Sequence, residues 1–496
     1  MHRFLLSTSV VTAVLVALPS GVPVATAAEP VPGARTLGDR LFPDLGNGGY
    51  DAQDYDVSVT YQEGVETMPA SVTMRAAATQ ALSEFSLDSV GQRIHAVTVD
   101  GRAAGFSQEK EKLVVTPPAA IRDHHSFTVR VDYTADRAQN PVPPGTHLPP
   151  GVEWPLKSWV DTPDGFALMG QPDRAHLFFP SNDHPSDKAD FTFRITAPAD
   201  RTAVANGTPI ARDTRDGVTT SVYRTAHPIP TDVVQIAVGR FREVDQTGPG
   251  GLPVRSHLTL APFNGAPVTD AMERTARETP GQLAWLAGEI GRPFPFERYG
   301  VLGLASDYDG VALETATVST FGAGLSLTPK QEAPTLVHEM THQYFGDAVS
   351  VRTWDDMWLS EGHARYYERR YAAARGFINL DQELKSSYER DQQQRTEVGP
   401  MGRLKLAASV LYDTDVPGQL MLTGLRTLVG DNTFRRIEQS FVDQFRDRAA
   451  STQDYVDVAN QVSGRDLTTY FHDWLYSPVT PPMPGHPDWH SAPANS

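Results

Sequence analysis

The chain has 496 residues, which is too many for one ordinary hydrophobic core and indicates two or three domains. Its 60 Asp and Glu residues outnumber its 43 Lys and Arg residues, and the resulting formal charge of −17 argues against nucleic acid as a partner, because the protein would repel phosphate backbones. The chain has no cysteine, which excludes disulfides, thiol catalysis and thiolate-bound metals, so a metal would have to be held by histidines and carboxylates.

The first element in chain order is a predicted secretory signal peptide over residues 1–28. Arg3 precedes an apolar stretch that is too short to span a bilayer, and the small residues Ala25-Thr26-Ala27 have the form of a cleavage site. Cleavage is expected near Ala27 or Ala28. No later segment has the apolar length of a transmembrane helix, so the sequence predicts a secreted, extracellular protein without a membrane span.

Residues 29–248 are predicted to form an N-terminal β domain, an antiparallel sandwich or saddle. Segments such as YDVSVTY and FTVRVDY alternate apolar and polar residues between Gly, Pro and Asp turns, which is typical of antiparallel strands. The prolines at 140–155 predict a long surface loop. The stretch GPGG at 248–251 is typical of a linker and marks the predicted domain boundary.

Residues 249–480 are predicted to form a second, mainly helical domain. From about residue 265 the apolar residues have helical spacing, as at Met272 and Ala276, and Gly376 and Gly430 are expected helix ends. Residues 481–496 are expected to form an irregular tail. The predicted fold class is therefore multidomain α+β.

Two histidines stand four residues apart in the segment TLVHEMTHQYFG. On a helix, His338 and His342 share one face, so both imidazoles can bind one ion. Glu339 then lies beside that ion and suits the role of general base for a water molecule. The alternative is that both histidines lie on a solvated helix and bind nothing.

A third ligand, Glu361, comes eighteen residues after His342, on a segment that predicts a second helix. Two antiparallel helices would bring Glu361 to the histidines and leave the fourth position of the ion to water. Two imidazoles and one carboxylate, without a thiolate, favour zinc. The alternative is a carboxylate on a helix surface.

The two segments VHEMTHQYFG and WLSEGHA resemble the zinc aminopeptidases related to aminopeptidase N, whose pattern is HExxH, eighteen residues and then Glu within W-L-x-E-G-x-A. Thermolysin-type endopeptidases share the first half but have a longer gap. The resemblance covers nearly the whole mature chain. It implies a β domain before a thermolysin-like domain with one zinc ion, as in short secreted bacterial forms that lack the long C-terminal helical domain.

The resemblance assigns two residues to the free N-terminus of a substrate. In the family, the glutamate of a G-A/G-M-E-N strand binds the α-ammonium, and Glu314 in VALET has that position. Three positions of this segment depart from the family's Gly, Met and Asn, namely Val311, Leu313 and Thr315. Gln171 matches a family position that supplies a Gln or Glu to the same site. The alternatives are an edge-strand carboxylate and an ordinary loop glutamine.

The resemblance also implies a tyrosine whose hydroxyl stabilises the tetrahedral oxyanion, in a Y-x-x-G context. Tyr412 is the candidate, although it lies six residues before Gly418 rather than three. The extra residues, with Pro417 among them, are expected to bulge as a loop. The alternative is a tyrosine of the core or of a loop.

These features predict a secreted, monomeric zinc aminopeptidase that removes single residues from peptides with a free N-terminus. Two alternatives remain open. One is a zinc endopeptidase on the same scaffold, in which the altered VALET strand no longer anchors an amine. The other is a catalytically silent homologue that binds zinc and holds a peptide without turnover.

Overall fold

The structure, a computed structural model, describes residues 29–139, 158–306, 312–323 and 329–491. The predicted signal peptide, the predicted loop at 140–155, Val311 and the last residues of the predicted tail lie outside the described residues. Among the described residues, none of the helices combines the length and the apolar character needed to cross a membrane.

The N-terminal half consists of strands, with turns, longer loops and two short 3-10 helices between them. In chain order the strands are β1 (Val31–Pro32), β2 (Tyr50–Thr60), β3 (Thr67–Ala78), β4 (Leu82–Asp88), β5 (Arg93–Val99), β6 (Arg102–Ala103), β7 (Gly105–Glu109), β8 (Lys112–Thr116), β9 (Ser126–Asp136), β10 (Trp159–Thr162), β11 (Gly165–Leu168), β12 (Asp190–Pro198), β13 (Thr202–Ala205), β14 (Thr208–Arg215), β15 (Val218–Arg224) and β16 (Ile236–Gly239). The 3-10 helices are Ala175–Leu177 and Thr231–Val233.

The largest sheet has eight strands in the order β14-β15-β12-β2-β3-β9-β5-β6. Two four-stranded sheets, β1-β4-β8-β7 and β10-β11-β16-β13, complete this half. Alternate residues of the long strands are buried, as Val57 and Val59 on β2 show. The predicted β domain is confirmed, but two of its strand pairs are parallel rather than antiparallel, β12 with β2 and β1 with β4. The strands of each pair are distant in sequence, so no hairpin fixes their direction.

The second half combines a mixed sheet with a set of helices. In chain order its elements are β17 (Phe241–Thr247), β18 (Pro253–Thr259), α1 (Thr269–Ala276), α2 (Thr279–Ile290), β19 (Val301–Leu304), β20 (Ala312–Leu313), β21 (Ser319–Gly322), α3 (Pro329–His342), β22 (Val349–Val351), α4 (Trp358–Ala374), α5 (Leu380–Val398), α6 (Asp415–Val429), α7 (Asp431–Phe445), β23 (Arg448–Ala450), α8 (Thr452–Ser463) and α9 (Thr468–Tyr476). The sheet order is β17-β18-β19-β21-β20, and the predicted α+β fold class is confirmed.

The segment GPGG at 248–251 is a hairpin turn rather than the predicted linker. It joins β17 to β18, which pair in antiparallel register from Phe241↔Thr259 to Thr247↔Pro253. Gly250 and Gly251 have φ angles of 66° and 84°, which glycine adopts without steric cost. Strand β17 therefore belongs to the sheet of the second half, although it precedes the predicted boundary. Glycine-rich stretches occur in linkers and in hairpins alike, so local sequence does not separate the two.

Helix α4 lies between α3 and α6, and its contact with α6 is unusually close. A Cβ added to Gly418 of α6 would lie 2.5 Å from the Cα of Gly362 on α4. A Cβ added to Gly362 would lie 2.9 Å from the Cα of Gly418. The two backbones therefore touch at a point where neither helix has room for a side chain.

The two halves share buried contacts. One apolar cluster contains residues of both halves, namely Val160, Ala167, Met169, Val204 and Ala237 from the first half with Leu302, Leu304, Leu313 and Val318 from the second. Asn206, which is fully buried, donates hydrogen bonds from Nδ2 to the carbonyl oxygens of Val233, at 3.1 Å, and Ala316, at 2.6 Å. The β domain is thus packed against the loop that comes after β20.

Candidate active site

Helices α3 and α4 bring the predicted metal ligands together. The Nε2 atoms of His338 and His342 lie 3.4 Å and 3.7 Å from Oε2 of Glu361, and the two imidazole centroids are 4.8 Å apart. One ligand atom from each residue lies within 4.8 Å of the other two. The three side chains therefore converge on a volume that suits one ion, and the alternative of unrelated surface residues does not hold.

Each histidine is oriented by a side chain of α4. His338 Nδ1 lies 3.3 Å from Oε2 of Glu368, and His342 Nδ1 lies 2.7 Å from Oγ of Ser360. The Ser360 hydroxyl donates to the carbonyl oxygen of Phe345 at 3.0 Å, so Oγ accepts a hydrogen from His342 Nδ1. This arrangement leaves Nε2 of both rings as the metal-binding atom, which is the usual device in metalloproteins.

Two arginines support Glu368. Arg365 Nη1 donates to Glu368 Oε2 at 3.1 Å, and Arg369 Nη1 lies 3.4 Å from Glu368 Oε1. Burial opposes ionisation of Glu368, but its hydrogen bond with His338 and the nearby positive charge of Arg365 lower its pKa to about 2. Glu368 is thus a permanent carboxylate that accepts the Nδ1 hydrogen of His338.

Glu339 lines the same cavity. The side chain is 4% exposed, and its Oε2 atom has no hydrogen-bond partner among the described residues. Burial, together with the carboxylates of Glu314 and Glu361, raises the pKa of Glu339 well above its usual range. A buried carboxylate with an open lone pair beside a metal site is suited to accept a proton from water.

Glu314 comes directly after the edge strand β20 and is tied to α3. Gln343, the residue after His342, donates from Nε2 to the carbonyl oxygen of Glu314 at 2.9 Å and accepts from the backbone N–H of Thr317 at 2.8 Å. The Glu314 side chain is 3% exposed, and its Oε1 lies 3.9 Å from Nδ1 of His342. Burial raises the pKa of Glu314. The carboxylate therefore lies beside the metal site with a fixed backbone.

Gln171 reaches Glu314 from the β domain. Its Nε2 donates to Oε1 of Glu314 at 2.6 Å and lies 3.5 Å from Oδ2 of Asp232. Asp232 is buried, and its Oδ1 has no hydrogen-bond partner among the described residues. Since the amide nitrogen of Gln171 is committed to two carboxylates, its carbonyl oxygen remains as an acceptor for a ligand.

Tyr412 lies on the wall of the site, just before α6. The ring is 51% exposed, and partial burial together with the negative charge of Glu361 raises the pKa of its hydroxyl. The bulge expected between Tyr412 and Gly418 is not present, because α6 already begins at Asp415 and takes Pro417 into its first turn. Proline is tolerated there, since the first helical N–H groups have no intrahelical acceptor.

All seven predicted site residues line one cavity of about 350 Å³, which is within the range of small-ligand sites. Arg365, Glu368 and Asp415 are further charged residues on its wall. The pair of imidazoles and the carboxylate of Glu361 match the donor set that zinc prefers, and no thiolate is available. The residues present therefore fit the expected ion.

Comparison with protein families gives two matches. The peptidase family M1 domain matches residues 274–474, and the peptidase M1 N-terminal domain matches residues 168–233. Together they match more than half of the chain. The chain belongs to peptidase family M1. The predicted membership of the aminopeptidase N family is confirmed, and with it the class of enzyme, a zinc metallopeptidase.

Individual M1 relatives are similar over most of the chain. Aminopeptidase N of Streptomyces lividans is 25% identical over 86% of this chain and 50% of its own length, and mouse aminopeptidase B is 24% identical over 67% and 53%. This chain thus spans about half the length of these curated relatives. A structure of a mutant M1 zinc metallopeptidase of Deinococcus radiodurans, bound to a Tyr-Ser-Ala substrate, matches with a TM-score of 0.78 and 28% identity, over 91% of this chain and 100% of that one.

Several residues in and around the candidate site are not predicted from the sequence. Glu368 lies seven residues after Glu361, so helical spacing would have placed it on the same face of α4. Gln343 lies directly after His342, and that position alone could have indicated a residue close to the candidate site. Asp232 lies 61 residues from Gln171 in sequence, and no local pattern connects the two.

Proposed function

We propose that this protein is a secreted zinc aminopeptidase that hydrolyses the first peptide bond of peptides with a free N-terminus. One observation carries the proposal: a buried carboxylate, Glu314, lies within 3.9 Å of a metal-ligand histidine and in the same cavity as the base. A charged amine held at that distance from the metal site places the first carbonyl of the substrate at the metal. A carboxylate is the natural partner of an ammonium.

His338, His342 and Glu361 would hold the zinc ion. When bound, zinc supplies a Lewis acid for the scissile carbonyl and lowers the pKa of a water molecule. Glu368 and Ser360 keep the two imidazoles in the tautomer that a metal requires.

Glu339 takes the proton from the attacking water and delivers it to the nitrogen of the leaving amine. Its open Oε2 supports this role, because no described residue competes for that atom. Tyr412 donates its hydroxyl hydrogen to the oxyanion that develops on the scissile carbonyl, a contact that can be worth a few kcal/mol in the transition state.

Glu314 and Gln171 bind the α-ammonium of the substrate. The carboxylate of Glu314 supplies the charge, and the carbonyl oxygen of Gln171 accepts a second hydrogen bond. Because both side chains are buried in the cavity wall, a blocked N-terminus would bring an uncharged group against a buried carboxylate, which is costly.

The deciding experiment compares one peptide with a free N-terminus and its N-acetylated form. We expect release of single N-terminal residues from the free peptide and about 10- to 150-fold slower cleavage of the acetylated one, since a hydrogen bond to a charged group is worth about 1.5–3 kcal/mol. A chelator should abolish both activities. Glu314→Gln should raise KM for the free peptide. Glu243→Gln is the matched control, because Glu243 lies on β17 outside the cavity and its replacement should leave KM unchanged.

The two alternative functions correspond to distinct results. Equal cleavage of the free and acetylated peptides would identify a zinc endopeptidase. Stoichiometric zinc without turnover of either peptide would identify a silent binding homologue.

Secretion is supported by the sequence alone. We expect the protein in the culture medium to begin just after Ala27 or Ala28, as N-terminal sequencing would show. A retained N-terminus at Met1 would contradict this part of the proposal. The expected monomer can be checked by light scattering of the same sample.

A further inference from the structure

Arg365 is a charged residue of the cavity wall. The proposed reaction gives this residue no contact with the substrate. It lies on α4 four residues after Glu361, so the two residues share one face of the helix, about 6 Å apart along its axis. The side chain is 27% exposed. Arg365 is thus a permanent positive charge one helical turn from a metal ligand.

The guanidinium retains hydrogen-bond donors. Nη1 donates to Glu368 at 3.1 Å, whereas Nε lies 3.9 Å from Oδ2 of Asp415, which is too far for a hydrogen bond. Within the described parts of the chain, neither Nε nor Nη2 has a hydrogen-bond partner. Arg369, the neighbouring arginine that also supports Glu368, differs because it pairs with Glu383 as well and does not line the cavity.

Arg365 and Glu314 lie on different sides of the histidine pair. Glu314 lies 3.9 Å from His342, whereas Arg365 contacts Glu368, which lies 3.3 Å from His338. A substrate whose amine is held at Glu314 therefore has its leaving group on the Arg365 side.

We propose that Arg365 binds a carboxylate of the leaving group, which makes short peptides with a free C-terminus the favoured substrates. The inference rests on the proposed aminopeptidase function. An extended residue spans about 3.3–3.6 Å, so one or two residues beyond the scissile bond cover the helical turn between the metal site and Arg365. An acidic side chain directly after the scissile bond offers the same chemistry.

The first measurement uses the parent enzyme. With the preferred N-terminal residue X, kcat/KM is compared for X-Ala and X-Ala-Ala against their C-terminal amides, and for X-Asp-amide against X-Asn-amide. We expect each carboxylate to be favoured about tenfold or more over its neutral counterpart, since a planar guanidinium pairs well with a carboxylate. The comparison of X-Asp-amide with X-Asn-amide shows whether a side-chain carboxylate can replace a C-terminal carboxylate. Ratios near one in every arm would overturn the proposal.

The second measurement assigns the effect to Arg365. Arg365→Gln should bring the acid-to-amide ratio close to one, and Arg365→Lys, which keeps the charge but loses the planar fork, should give an intermediate ratio. Arg369→Gln is the matched control, because it also weakens support for Glu368 but should keep the parent ratio. A purely structural role of Arg365 would lower kcat/KM for acid and amide alike and leave the ratio unchanged, which would also overturn the proposal.

A binding readout separates this inference from the proposed function. Calorimetry with the zinc-loaded Glu339→Gln variant measures the affinity for X-Ala-Ala and for its amide without turnover. Tighter binding of the acid that disappears when Arg365→Gln is added supports the carboxylate site even if the parent proves inactive. Equal affinities overturn it even if the parent is an active aminopeptidase.

Discussion

Each imidazole of the metal site has one nitrogen occupied before any ion arrives. His338 Nδ1 lies against Glu368, and His342 Nδ1 lies against the hydroxyl of Ser360, which itself donates to the carbonyl of Phe345. Because these contacts fix both the tautomer and the ring plane, the histidines need little reorganisation on binding a metal. The affinity for zinc should therefore depend on side chains that never touch the ion.

Ser360→Ala should weaken zinc binding. Without the hydroxyl, Nδ1 of His342 loses its acceptor and the ring can rotate or change tautomer, so we expect the Kd for zinc to rise about 10- to 100-fold. Titration against a competing chelator measures the Kd. Ser387→Ala, at a buried serine of α5, is the control, and an unchanged Kd in Ser360→Ala would show that the contact has no orienting role.

Glu339→Gln should abolish most turnover while leaving the metal in place. The amide keeps the size of the side chain but cannot take a proton from water, and a general base contributes about 10²–10⁴-fold to the rate. We expect kcat to fall by that factor at unchanged zinc stoichiometry. A variant that loses zinc together with activity would instead place Glu339 among the metal ligands.

At the scale of elements, helices α3 and α4 carry most of the side chains of the candidate site. Helix α3 carries His338, Glu339 and His342, and its Gln343 extension holds the backbone of Glu314. Helix α4 carries Ser360, Glu361, Arg365 and Glu368 on neighbouring turns. The contact of α4 with α6 at Gly362 and Gly418 then determines how closely Tyr412 and Asp415 approach the ligands.

Gly362→Ala should destabilise the protein. The new methyl group would meet the backbone of Gly418, which cannot move as a side chain can, and such overpacking costs about 1–3 kcal/mol. Urea denaturation measures the loss in free energy of unfolding. Gly281→Ala on α2, where an added Cβ meets nothing within 4 Å, should instead be neutral or stabilise by about 0.4–1 kcal/mol. Similar effects of the two substitutions would contradict the close helix contact.

How far the sequence predicts this site depends on how local each relationship is. The HExxH pair and Glu361 are predictable from spacing, because a helix converts separation in sequence into a shared face. The predictions of a linker at GPGG and of a bulge before Gly418 are wrong, since glycine and proline indicate a change of chain direction without specifying the next element. The Gln171–Asp232 contact depends on how 3-10 helices and strands of the β domain pack, which periodicity does not encode.

At the scale of the whole molecule, the site is completed across two domains. Gln171 reaches Glu314 from the β domain, and Asn206 and the shared apolar cluster join the same region of the two halves. Buried apolar contacts and satisfied buried polar groups of this kind couple domains energetically. The β domain therefore forms part of the wall of the candidate site rather than an independent appendage.

The two domains should unfold in one cooperative transition. Asn206→Asp should lower the free energy of unfolding of that transition. The carboxylate cannot donate to the carbonyl oxygens of Val233 and Ala316. The Val233 oxygen still accepts from the backbone N–H of Ala316, but the Ala316 oxygen is left without a donor among the described residues, and an unmet buried group costs about 1–3 kcal/mol. Tryptophan fluorescence and far-ultraviolet circular dichroism during urea denaturation should shift together to lower urea. Asn264→Asp, at an exposed loop position, is the control. Separate transitions by the two probes would contradict domain coupling.

The link from Gln343 to the carbonyl of Glu314 has a consequence for where the proposed aminopeptidase would cut a peptide. Gln343 comes directly after a metal-ligand histidine and holds the backbone of Glu314, so the proposed ammonium site is tied to the helix that carries two of the metal ligands. Under the proposed function, this tie would set the number of residues removed in each cycle, whereas the contact of Gln171 with Glu314 across the two domains would affect how tightly the amine is held.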